Sequence, residues 1–151
     1  MVYFIDSNIF LRVIVEEDSK SFSECKELLQ KVEGRKIRGF SSNIVMAEIV
    51  WVLSSYYKMK KLKVLEGLLG IRNLTTLKLI DKYQFDLALK LYSKFKVKFI
   101  DCLIASIPQI FSKTWPIISY DKDFDKLDVV RFEPGEVPQK WMEKEKVLPG
   151  R

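Results

Sequence analysis

Tyr3-Phe4-Ile5-Asp6-Ser7-Asn8 is the stretch on which the fold turns. Three bulky apolar residues run into an acid and two small polar residues, and Ile9-Phe10-Leu11 then resumes apolar character. The pattern predicts a short buried strand ending at Asp6 and a helix directly after it, with Ser7 or Asn8 as its N-cap. In an open α/β sheet, ligands bind outside the carboxyl ends of the strands. Asp6 therefore stands where such a fold does chemistry. Taken alone, the stretch equally allows Asp6 a purely local part in the cap.

Working outward, apolar residues recur at helical spacing from Phe22 through Cys25, Leu28, Leu29 and Val32, so a helix is expected to end near Gly34, with Ser19 as its cap. Residues 36–40, 77–80, 116–120 and 129–132 are short enough and apolar enough for strands. Ser41-Ser42-Asn43 caps a helix whose run, residues 44–53, is apolar nearly all round and predicts extensive burial. Glu48 interrupts it. An acid there is costly unless it is paired or bound to a cation, or unless it lies on the one wet stripe of the helix. Further helices are expected around residues 64–71 and from Phe85 to about Phe95. Asp101 interrupts Phe99-Ile100-Asp101-Cys102-Leu103-Ile104-Ala105 in the same manner as Glu48; a first-turn acid answering the helix dipole is the simpler alternative. Pro108 should kink or end this helix. The apolar run to Tyr120 meets Asp121, again an acid just past a strand, and Phe124 is expected to plug the core beneath that loop.

The chain has 151 residues, 48% of them apolar and 30% charged, as expected of one soluble domain with a real core. No apolar run is long enough to span a bilayer, and the N-terminus lacks the basic region of a signal peptide. Cys25 and Cys102 give no disulfide framework, which makes the cytoplasm the simplest compartment. Cys102 has no basic partner in sequence and is expected to be a small buried residue. The net charge of +6 fits either a polyanionic partner or a lysine-rich solvated surface. The chain contains 0 histidines. That excludes Ser-His-Asp and Cys-His hydrolysis, HExxH zinc sites and histidine-based ribonuclease chemistry. A hydrolytic site in this protein must run on carboxylates, hydroxyls, lysines or a metal, and carboxylates select hard cations such as Mg²⁺ or Mn²⁺.

Asp6 and Asp121 end strands, while Glu48 and Asp101 interrupt apolar helices. If strand ends and helix starts meet at one edge of a parallel sheet, all of them converge. Two carboxylates about 5 Å apart repel by roughly 3 kcal/mol at an effective dielectric near 20. A divalent cation turns that repulsion into binding energy, makes hydroxide from water and holds a scissile phosphate.

These pieces together resemble the PIN-domain nucleases, most of all the VapC-type toxins. The family opens with a strand ending Asp-[Ser/Thr]-[Asn/Ser], matched by Asp6-Ser7-Asn8. Its Glu within an apolar helix is matched by Glu48 in Asn43-Ile44-Val45-Met46-Ala47-Glu48. Its Asp-x-Leu-Ile-Ala segment is matched by Asp101-Cys102-Leu103-Ile104-Ala105, and its closing [Thr/Ser]-x-Asp-x-x-Phe turn by Ser119-Tyr120-Asp121-Lys122-Asp123-Phe124. The match spans roughly residues 2–132. It implies an α/β fold, a three-layer α/β/α domain over residues 1–133 with a central parallel sheet of four to five strands, followed by an arm over 134–151 that includes Trp141.

The resemblance also implies a Mg²⁺ or Mn²⁺ site and endonucleolytic cleavage of RNA. Asp6 and Asp101 would be the central metal ligands, with Glu48 and Asp121 completing the pocket. Ser119 would orient a carboxylate or a water, and Asn8 would brace the Asp6 turn; Asp123 is expected as an exposed loop residue, with a spare acid of the pocket as the alternative. The partners implied are RNA, a small antitoxin protein and a second copy of the chain. A toxin of a type II toxin–antitoxin pair, a housekeeping RNA-processing nuclease and a non-catalytic RNA- or protein-binding module all fit these residues. A haloacid-dehalogenase-type phosphatase wants a second Asp where Asn8 stands, and a dinucleotide-binding protein wants a glycine-rich first turn that Asp6-Ser7-Asn8-Ile9 lacks. Pro108 and the length of the arm depart from the minimal pattern, and neither touches the acids.

Overall fold

The first strand, β1 (Val2–Ile5), lies at the centre of the protein. A computed structural model of the chain describes residues 1–137. Tyr3, Phe4 and Ile5 have no exposed surface, as a strand covered on both faces requires. The elements that follow are α1 (Ser7–Val15), α2 (Ser19–Glu33), β2 (Arg38–Ser41) and α3 (Asn43–Trp51), which continues as a π-helical turn over Val52–Tyr56. Then come α4 (Lys61–Arg72), β3 (Lys78–Leu79), α5 (Phe85–Lys94), α6 (Phe99–Ala105), α7 (Pro108–Phe111), β4 (Ile117–Ile118), α8 (Asp123–Lys126) and β5 (Arg131–Phe132). A 3₁₀ turn, Pro134–Glu136, closes the described chain. It begins the expected arm; Trp141 lies outside the described residues.

All five strands are parallel, in the order β3-β2-β1-β4-β5, and helices on both faces complete a three-layer α/β/α fold. The chain winds outward from β1 through β2 to β3, then returns to the other side of β1 for β4 and β5. The reversal point between β1 and β4 is where an open parallel sheet leaves a crevice at its carboxyl edge. Register fixes what lines that crevice. Phe4 pairs with Ile117 and Ile5 with Ile118, and the N–H of Asp6 donates to the carbonyl of Ile118 at 3.1 Å. Asp6 and Ser119 thus emerge side by side. Gly39 brings α2 close to the sheet: a Cβ there would meet Val32 Cγ1 at 2.9 Å and Ile5 Cδ1 at 3.1 Å.

Several local expectations are corrected. The cap of α1 is Asp6 itself, whose backbone is extended and whose carboxylate accepts the N–H of Ser7; Ser7 and Asn8 are already helical. Likewise Asp18, not Ser19, caps α2, accepting the N–H of Ser21 at 2.7 Å. The run in α3 is less buried than its composition predicts. Val45 and Ile49 face the core, and so does Leu53 in the turn beyond, while Val50 and Trp51 are exposed. One side of α3 packs against α1, and the side that carries Val50 and Trp51 stays exposed. Pro108 ends α6 and then serves as the first residue of α7, where its missing N–H costs nothing. Phe124 and Cys102 are fully buried.

Candidate active site at the carboxyl edge of the sheet

Asp6 reaches the crevice as the last residue of β1 and the cap of α1. Both its oxygens are engaged: Oδ1 accepts the Ser7 N–H at 2.8 Å, and Oδ2 accepts the Asn8 side-chain amide at 2.9 Å and the Ser119 hydroxyl at 2.6 Å. The amide of Asn8 also donates to Ser119 Oγ at 2.8 Å, while its Oδ1 accepts the N–H of Tyr120 at 3.1 Å. Ser119 Oγ accepts a second bond from the N–H of Asp121 at 2.9 Å. The hydroxyl therefore donates once and accepts twice, and the Asn8 amide donates both its hydrogens. The network has one consistent direction, and it locks the ends of β1 and β4 together.

Asp101 comes from the first turn of α6 and is 3% exposed, yet its Oδ2 has no hydrogen-bond partner. One carboxylate oxygen each from Asp101, Asp121 and Asp123 lies within 4.8 Å of the others. Asp123 was expected in an exposed loop. It joins the cluster because the turn after β4 folds back: its N–H donates to Asp121 Oδ1 at 2.9 Å, and its carboxylate also pairs with Lys126 at 2.6 Å. Glu48, half-buried on α3, is not one of that group of three, though its charge bears on both Asp6 and Asp101.

The electrostatics follow from burial and crowding. Burial, helped by the charges of Glu48 and Asp121 and opposed by the Ser119 and Ser7 hydrogen bonds, raises the Asp6 pKa to about 6. Burial again, then the charges of Asp6, Asp121 and Glu48, raises Asp101 to about 7 against the pull of Lys98. At Asp101, desolvation and repulsion outweigh the dipole of a short helix. Among the described residues, no lysine or arginine forms an ion pair with Asp6, Glu48, Asp101 or Asp121. Oxygen donors in excess, one of them buried and unpartnered, form a donor set that suits a hard divalent cation.

Arg131 was not singled out by sequence reasoning. Its guanidinium forks onto Asp125 at 2.8 and 3.0 Å and donates to the carbonyl of Ser119 at 2.8 Å, holding the loop that presents Asp121. Nothing local in Val129-Val130-Arg131-Phe132 marks it; the contact exists only once β5 pairs with β4.

A parallel sheet reversing beside an acid-lined crevice defines the class as an open three-layer α/β/α domain with a carboxylate site at the carboxyl edge of its sheet. The PIN domain family model matches residues 3–130, and the chain belongs to the PIN domain family. A search of curated proteins by sequence finds no match. Among solved structures, the chain is similar to VapC20 of Mycobacterium tuberculosis, described as a Sarcin-Ricin loop cleaving toxin. The TM-score is 0.64 at 17% identity, covering 89% of this chain and 100% of that one. It is also similar to a chain of VapBC2 from Rickettsia felis, solved bound to a DNA fragment from its promoter. There the TM-score is 0.60 at 20% identity, covering 88% of this chain and 98% of that one. At these identities the likeness is one of fold.

Proposed function

We propose that this protein is a Mg²⁺- or Mn²⁺-dependent endoribonuclease and the toxin of a toxin–antitoxin pair, acting in the cytoplasm with a small antitoxin protein and a second copy of itself as partners. The observation that carries this reading is the buried, unpartnered oxygen of Asp101 within a crowd of carboxylates that has no basic partner of its own apart from Lys126 on Asp123. Asp6, Glu48, Asp101 and Asp121 are assigned as metal ligands, direct or through water. Asp123 is added to them on its place in the cluster. When bound, the cation supplies a Lewis acid for the phosphodiester and lowers the pKa of attacking water.

The remaining chemistry belongs to the chain. Ser119 holds Asp6 through its hydroxyl and the Asp121 backbone through its oxygen, so one side chain sets two carboxylates. Asn8 fixes that hydroxyl and the strand that bears it. The acid floor repels phosphate, and the surplus of positive charge, +6 over the chain, offsets that repulsion at longer range. VapC20 is described as a toxin, which supports the toxin over a housekeeping role.

The test is RNA cleavage with and without Mn²⁺, for wild type and Asp101→Asn. Cleavage that needs the cation and disappears in the variant supports the reading. Cleavage that persists in chelator, or in Asp101→Asn, overturns it.

A further inference from the structure

Beside the acids a separate groove of about 230 Å³ lies along α1, between that helix and the π-helical turn that continues α3. Its walls include Asn8, Leu11, Arg12, Val52, Tyr56 and Tyr57. Asn8 and Arg12 are four residues apart on α1 and so share one face. Asn8 donates to Asp6 at 2.9 Å, so one wall of the groove adjoins the candidate active site. π-helical turns interrupt α-helices mainly at functional sites, and this one determines which residues project into the groove.

Two features of the groove have no role in the network described above. Tyr56 is 74% exposed, with its ring edge-on to Tyr57 at 4.9 Å and 83°. Tyr57 is itself fixed, its hydroxyl donating to Glu17 Oε2 at 2.9 Å. Arg12 is half-buried, 5.3 Å from the centroid of the Tyr120 ring, with a long hydrogen bond of 3.5 Å to Ser21 Oγ. Tyr120 is anchored in turn by donating to Glu24 at 2.9 Å. Among the described residues Arg12 forms no ion pair. A held cation and an open aromatic face on the walls of one groove, whose acid Glu17 accepts from Tyr57, complement a nucleotide: phosphate on the guanidinium, base on the ring.

Resting on the ribonuclease reading, we infer that this groove binds single-stranded RNA beside the scissile phosphate, with Tyr56 stacking one unpaired base and Arg12 holding a neighbouring phosphate. Only an unpaired strand presents such a base. In an RNA duplex each base is covered by its neighbours, and the faces are out of reach.

The test uses full-length protein carrying Asp101→Asn, so that binding is read without cleavage. Fluorescence anisotropy is measured with three probes: labelled oligoadenylate, the same strand annealed to oligouridylate, and a ribose-phosphate strand of equal length without bases. The expected order is oligoadenylate above both others. Adding Tyr56→Ala should weaken oligoadenylate by about fivefold or more and leave the baseless strand unchanged, while Tyr56→Phe restores the difference. Adding Arg12→Gln should weaken oligoadenylate and the baseless strand alike and lower the slope of log affinity on log salt by about 0.7. Equal loss on both single strands in Tyr56→Ala, no loss at all, or a preference for the duplex overturns the inference, and the groove then belongs to a protein partner. Because binding is measured in a non-cleaving background, a failure here is separate from a failure of Mn²⁺-dependent cleavage in the wild type.

Discussion

Two buried aspartates meet in the crevice, and they are built in opposite ways. Asp6, at the end of β1, has both oxygens hydrogen-bonded, Oδ1 to Ser7 and Oδ2 to Asn8 and Ser119. Asp101, in the first turn of α6, has one oxygen with no partner at all. Donors aimed at Asp6 favour its ionised form and fix its orientation, whereas burial and neighbouring acids around Asp101 disfavour its charge against the lone pull of Lys98. The comparison separates a carboxylate that the fold itself needs from one that the fold tolerates. A residue tolerated at such cost is where a ligand gains most by binding, since a native group left unsatisfied in the interior costs about 1–3 kcal/mol.

The largest effect expected from this contrast is on activity, where the two should behave alike. Asp6→Asn and Asp101→Asn should each remove Mn²⁺-dependent RNA cleavage, while Ser119→Ala, which acts through its neighbours, should reduce it about 10- to 100-fold. Residual cleavage in Asp101→Asn above that in Ser119→Ala would reverse the proposed ranking.

In stability the two should part. With chelator present, Asp6→Asn should melt below wild type, because an amide meets the donors from Ser7, Asn8 and Ser119 with one acceptor fewer. Asp101→Asn should melt at or above wild type, having lost a repelling charge. Saturating Mn²⁺ should stabilise wild type by about 2.7 kcal/mol at a hundredfold excess over its dissociation constant, and Asp101→Asn by less. Equal Mn²⁺ shifts for wild type and Asp101→Asn remove Asp101 from the metal set.

The pH response sharpens the same point. Both folded pKa values lie above those of the unfolded chain, at about 6 for Asp6 and about 7 for Asp101. Between the unfolded and folded values the native state binds more protons than the unfolded state, so stability falls as pH rises. Chelated wild type should therefore lose stability from about pH 4 to about pH 7, and Asp101→Asn should show a shallower loss. Thermal melts across that range decide it; a wild-type profile that rises towards neutrality, from these groups alone, would contradict the assignment.

The smallest effect concerns Asp123, which shares its charge with Lys126. Asp123→Asn should raise the Mn²⁺ needed for half-maximal cleavage by up to about tenfold without abolishing turnover. An unchanged Mn²⁺ titration would mark Asp123 as a partner of Lys126 and of the Asp121 loop alone.

Much of this was legible in the chain because it rests on local physics. Apolar runs of strand length, helical spacing in Phe22-to-Val32, and the acids that break those patterns at Asp6, Glu48, Asp101 and Asp121 are all present before any folding. The caps were misassigned by one residue at α1 and α2, since an Asp and a following Ser compete for the same role and only backbone geometry decides between them. The burial of α3 was overread for a related reason: composition states how apolar a helix is, and neighbours state which side of it is covered.

By itself, then, the sequence determined mixed strands and helices with acids breaking their apolar patterns and no histidine chemistry, because such patterns are set by residues close in the chain; the parallel sheet followed only from the resemblance to PIN-domain nucleases. Only the tertiary structure decided that β1 pairs with β4. That pairing places Ser119 on Asp6 across 113 positions of sequence and leaves Asp101 facing them with a bare oxygen. It likewise folded Asp123 into the cluster, drew Arg131 under Ser119 and opened the groove between Arg12 and Tyr56. Those contacts come from strand register and helix packing, which join distant residues and leave no periodic trace in the chain.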